Sequence, residues 1–142
     1  MKTRSSLILF ALACLSPHPL QVVAQSSGKG APSAHVKGPN GLEGWTLNYP
    51  VPGYDLDNKY PMTLVIARHG RVIRRIAGEP FVWSWIFWAD GKQLAIMAGP
   101  LHFSMNCVLE DLTSGKELAS YDCYHEVPEP QPDWVKALEA AE

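Results

Sequence analysis

Three stretches of the chain hold runs of apolar and β-branched residues, and each is broken in the middle by a turn signal. Met62 to Arg68 (MTLVIAR) and Arg71 to Ile76 (RVIRRI) flank His69-Gly70. Phe81 to Trp88 (FVWSWIFW) and Gln93 to Met97 (QLAIM) flank Ala89-Asp90-Gly91-Lys92. Leu101 to Leu112 and Lys116 to Tyr124 flank Ser114-Gly115. Short runs of this kind between Gly, Asp and Ser read as strands, and the glycine supplies the positive φ of a right-twisted hairpin. The pattern predicts a mainly β fold, an antiparallel meander of about six strands in three hairpins, forming a small sheet, a sandwich or a partial barrel. Trp45 to Asn48 is a candidate additional strand.

The second hairpin is the expected centre. Strict alternation puts Phe81, Trp83, Trp85 and Phe87 on one face and Val82, Ile86 and Trp88 on the other. Apolar residues on both faces suit a central strand covered on both sides.

The flanks read differently. Lys2 and Arg4 precede the apolar run Leu7 to Leu15, which is too short to span a bilayer and suits a signal peptide over residues 1–24, cleaved after Val22-Val23-Ala24. The alternative is a lipobox at Ala11-Leu12-Ala13-Cys14, which would anchor the chain to a membrane through lipid on Cys14. Residues 25–44 are rich in Gly, Ser and Pro and read as a flexible linker, followed by a β-sheet domain over 45–127. Residues 128–142 read as a Pro-rich tail and a short helix. Its stripe is Trp134, Ala137, Leu138 and Ala141, with Asp133 at or near its cap.

Export makes the chain secreted or periplasmic and changes the meaning of its cysteines. With Cys14 in the leader, Cys107 and Cys123 remain as an even pair in an oxidising compartment. A turn centred on Gly115 would place them directly opposite each other, within reach of a cross-strand disulfide. Cleavage also removes Lys2 and Arg4. That takes 12 basic residues to 10 against 14 acidic ones, a net charge of −4. Such a balance keeps a domain soluble and marks no nucleic-acid partner.

Trp85 to Ile96 (WIFWADGKQLAI) and Glu110 to Leu118 (EDLTSGKEL) resemble a blade of the TolB-like and WD40-like β-propellers. The resemblance implies one blade-like antiparallel sheet and, since such propellers act mostly as interaction platforms, binding rather than catalysis. The residues after Ala24 are too few for the four or more blades of about 40–45 residues that a propeller needs.

Several constellations bear on chemistry. His102, Met105 and Cys107 (HFSMNC) hold soft-metal donor types, but alternation turns His102 away from the other two and the disulfide uses Cys107; no metal and no cofactor is expected. His125-Glu126 with Asp122 nearby, and His102, are the acid–base candidates, without any nucleophile motif beside them. Arg68, Arg71, Arg74 and Arg75 crowd the first hairpin, with Arg68 opposite Arg71, which calls for acidic neighbours or an anionic ligand unless the charges only protect an edge. Trp83 and Trp85 on a common face would form a sugar-stacking platform. The expected function is therefore an exported, non-catalytic binding or structural module of the cell envelope or exterior. Trp83, Trp85, Arg71, Arg74 and His102 are its candidate contacts, and a protein or glycan its partner. The alternative is a small envelope hydrolase using His102 or His125 with a neighbouring carboxylate. A third reading, a sheet that completes a larger homo-oligomer, predicts an exposed apolar face.

Overall fold

The computed structural model describes residues 29–55, 57–100 and 104–141. The readings of the signal peptide, of Cys14 and of His102 lie outside the described residues. Within them the chain is mainly β, as its pattern predicts, and forms two antiparallel sheets. The first contains β1 (Ala31–Pro32), β2 (Val36–Lys37), β3 (Leu42–Pro50), β4 (Lys59–Arg68) and β5 (Arg71–Ala77). β1 and β2 both line one edge of β3, β4 follows, and β5 ends the sheet. The second contains β6 (Phe81–Trp88), β7 (Gln93–Gly99), β8 (Asn106–Asp111) and β9 (Glu117–Asp122) in chain order. A single short helix, α1 (Asp133–Glu139), follows them.

The sheets pack face to face. Leu42, Leu64 and Ile66 of the first meet Val82, Leu94, Ile96 and Leu112 of the second unit in an inner core. A second core lies on the opposite face of the β6–β9 sheet. There Ala95, Met97, Cys107 and Leu109 meet Trp134, Val135 and Leu138 of α1. The β6–β9 sheet is thus the middle of three layers. Burying apolar side chains on both faces is what makes its strands so rich in aromatic and aliphatic residues.

Four details differ from the sequence pattern. Residues 31–44 are not a linker throughout. Glycine there permits close approach rather than freedom: a Cβ at Gly30 would lie 2.5 Å from the Tyr49 ring, and one at Gly38 would lie 2.3 Å from the Phe87 ring. The Thr46 backbone N–H donates to Ser33 Oγ at 2.9 Å, which fixes the segment against β3.

Next, β6 is an edge strand, although covered on both faces; β7 and β8 are the interior strands of its sheet. The pairing of β6 with β7 also slips between Val82 and Ser84. That bulge turns Trp83 toward the helix side, with Ile86 and Trp88. Trp85 and Phe87 face the inner core with Val82. A bulge adds one residue to a strand and so resets the alternation on which the face assignment rested.

The last two differences concern the third hairpin and the helix. Cys107 stands opposite Tyr121, not Cys123. The helix buries Trp134, Val135 and Leu138, so Val135 takes the place expected for Ala141, which is exposed. Pro132 occupies the cap position, with Asp133 in the first turn.

Candidate functional site

The site grows from the β8–β9 turn. Asp111 Oδ1 accepts the Ser114 backbone N–H at 2.7 Å, the Ser114 hydroxyl at 2.7 Å and the Thr113 backbone N–H at 3.1 Å. Those donors, the Ser114 backbone N–H foremost, hold the Asp111 carboxyl below its ordinary range. The Gly115 N–H closes the turn onto the Asp111 carbonyl at 2.9 Å. Gly115 has φ +72°, and a Cβ there would meet the Arg74 guanidinium at 3.1 Å. Glycine suits the left-handed backbone there and leaves room for the cation lying on it.

Arg74 comes from β5, in the other sheet. Its Nη2 donates to Glu110 Oε2 at 2.7 Å, with side chains only 20% and 17% exposed, and its Nη1 lies 3.5 Å from the Asp111 carbonyl. This charge-assisted bond clamps the last strand of the first sheet to β8. Within the cluster Arg74 has an acidic neighbour, and Arg75 and Arg71 line an edge strand, in keeping with protection of an edge by charge. Arg68 does face Arg71, and Arg71 and Arg75 are exposed.

A groove runs beside this clamp. Its floor is Ile76 of β5 with Ile96, Ala98 and Val108 of the middle sheet. Glu79, Asn106, Glu110 and Glu117 rim it, and its volume is about 200 Å³. Glu110 and Glu117 lie directly opposite each other across β8 and β9, an unfavourable pairing of like charges that Arg74 relieves on one side only. β5 reaches β8 through Arg74 and Glu110, and on β9 Glu117 and Ser120 are exposed.

The other candidates do not converge. Trp83 donates its indole N–H to the Gly99 carbonyl at 2.9 Å and packs on the helix side, while Trp85 packs between the sheets. Two indoles on opposite faces make no shared stacking platform. His125 is 74% exposed and its Nδ1 lies 3.2 Å from Asp122 Oδ1. Asp122 accepts the Tyr124 and His125 backbone N–H groups at 2.9 and 3.1 Å, and the Tyr124 bond in particular lowers its carboxyl below the ordinary range. A carboxylate so occupied ties down a turn and is a poor general base. Met105 is buried beside the Cys107–Cys123 disulfide, whose Cα atoms are 5.4 Å apart. A disulfide is compatible with an oxidising environment such as the periplasm or the exterior.

Glu79, Asn106, Glu110 and Glu117 were not among the candidates from sequence. Their one local signal is the turn EDLTSGKE, which brackets Glu110 and Glu117 but does not show that they oppose each other. No protein-family profile, curated protein or solved structure matches this chain.

Proposed function

We propose that this protein is an exported, non-catalytic binding module of the cell envelope or exterior, and that its binding surface is the groove between β5 and β8–β9. The observation that carries this reading is the groove between β5 and β8–β9, with an apolar floor, an acidic rim and, among the described residues, an unpaired edge of β5 alongside. Such a surface suits a macromolecular partner, because small-molecule pockets usually enclose about 300–1,000 Å³. A polypeptide fits it better than a glycan, since the two indoles are not presented together. The hydrolase alternative has less support: His125 sits on an exposed turn, and its carboxylate neighbour is committed to that turn.

Hydrogen exchange tests the reading. The protein is purified from its native location and mixed with the envelope or culture fraction of the producing cells. Protection concentrated in residues 71–77 and 106–120 is expected. Protection confined to other regions, or hydrolysis of a substrate that Asp122→Asn or His125→Ala abolishes, would overturn it. Intact mass of the same material checks export, since it distinguishes cleavage after Ala24 from lipid on Cys14.

A further inference from the structure

We infer that the strand position left open beside β5 is taken by an extended segment of a partner protein, with Lys or Arg on its inward face and Asp or Glu on its outward face. The inference rests on the binding-module reading and specifies its ligand class. Among the described residues β5 ends its sheet, and a strand edge without a neighbour is a template for main-chain pairing. Neighbouring strands lie about 4.8 Å apart. β5 itself reaches β8 through Arg74 and Glu110, and the groove lies between β5 and the β8–β9 residues Val108, Glu110 and Glu117, next to the edge an added strand would take. An added strand would complete the upper layer and cover the apolar floor of the groove.

Charge decides the pattern on that strand. On the inward side, Glu117 opposes Glu110 and makes no ion pair within the described residues, and neither does Glu79 across the groove. A lysine or arginine entering there would relieve a repulsion already built into the sheet. On the outward side, Arg75 stands level with Val65, on the face turned away from the inner core, exposed and without an ion-pair partner among the described residues. An acidic residue beside it on the incoming strand would pair with it across the new ladder.

The same arginines disfavour a second copy of this chain as the occupant. Antiparallel pairing of two β5 strands about Ile73 opposes Arg71 of one copy to Arg75 of the other. Pairing about Arg74 opposes the two Arg74 side chains. Like charges directly opposed destabilise a sheet.

The test uses the full chain and three synthetic peptides. The first is Glu-Val-Glu-Lys-Glu-Val-Glu, with valine and lysine on one face and glutamate on the other. The second is its charge-swapped form, Lys-Val-Lys-Glu-Lys-Val-Lys. The third is the first peptide with alternate amides N-methylated to block edge pairing. Expected are binding of the first peptide with slowed amide exchange in residues 71–77, weaker binding of the second, and loss of binding for the third. Arg75→Glu should shift preference toward the charge-swapped peptide by on the order of fivefold, with the melting temperature of the free protein little changed. Equal affinity for the first two peptides, no binding of the first, or a dimer in sedimentation that Arg75→Glu alters would overturn the inference. Protection of β8 and β9 without β5 sinks strand addition but leaves the binding surface in place. Protection elsewhere removes both.

Discussion

At the scale of single residues, the molecule relies on short-range charge arrangements, of which Arg74 is the most exposed to test. Its pair with Glu110 is intermediate between a surface ion pair, worth about 0–1 kcal/mol, and a buried one whose breakage costs about 3–5 kcal/mol. Arg74→Ala should lower unfolding free energy by about 1–3 kcal/mol in urea titration. Part of that loss comes from Glu110 facing Glu117 without a cation, so adding Glu117→Gln to the Arg74→Ala background should recover some of it. No recovery would mean that the opposed carboxylates do not interact. Asp111 and Asp122 give a second prediction. Both carboxyls are lowered in the folded protein, first by the backbone N–H groups of Ser114 and Tyr124. A depressed folded value means the unfolded chain binds protons first as pH falls. Their contribution is complete above the unfolded carboxylate range and is lost as pH drops through the folded values, below the ordinary 3.8. Melting temperature should therefore fall as pH is lowered from about 5 to 2, and fall less steeply in an Asp111→Asn, Asp122→Asn variant. The arginine crowding in RVIRRI fitted either an edge protected by charge or carboxylate neighbours; Glu110, which pairs with Arg74, comes from another sheet, and a single sequence does not show which strand lies over which.

At the scale of elements, turn chemistry was the most legible feature, and register the least. His69-Gly70, Asp90-Gly91 and Ser114-Gly115 each mark a real reversal, and the strand limits around the first two agree closely with the apolar runs. The register of the third hairpin was misplaced because the Asp111 carboxylate gathers Thr113 and Ser114 into a turn centred ahead of Gly115, and a bulge follows between Leu109 and Glu110. The cysteines still meet, along a diagonal: Cys123 lies just past β9, and its N–H donates to the Met105 carbonyl at 2.8 Å. The disulfide therefore staples strands whose register the turn has set. A Cys107→Ala, Cys123→Ala variant should lose about 3 kcal/mol, as expected for a loop of this size. It should keep Cys107→Ala opposite Tyr121, as read by cross-strand nuclear Overhauser contacts. A register change in that variant would make the sulfur link the determinant instead. The bulge at Trp83 and the use of glycine at positions 30 and 38 were illegible for a related reason. Both depend on packing that one strand's own pattern does not show, the bulge on the pairing of β6 with β7 and the glycines on the Tyr49 and Phe87 rings.

At the scale of the whole molecule, the middle sheet is the common element. β7 sends Leu94 and Ile96 into the inner core and Ala95 and Met97 into the outer one. The helix that closes the outer core has seven residues, too few to persist alone in water. It is held by Trp134, Val135 and Leu138, and by a hydrogen bond from the Ser84 hydroxyl to the Leu138 carbonyl at 3.1 Å. Because β7 belongs to both cores, weakening the helix side should weaken the groove side at the same time. Leu138→Ala removes a fully buried side chain and should cost about 2–5 kcal/mol. The decisive reading is cooperativity rather than size. Amide exchange in residues 134–138 reports the helix over the outer core, and amide exchange in residues 71–77 reports the strand beside the groove. If the three layers are one cooperative unit, both probes should show a single transition with the same midpoint in the parent chain, and the same lower midpoint in Leu138→Ala. A variant in which the helix side melts first while β5 stays protected would divide the fold at the middle sheet. The groove would then be supported by the two-sheet sandwich alone, and the helix would serve only to cover the opposite face.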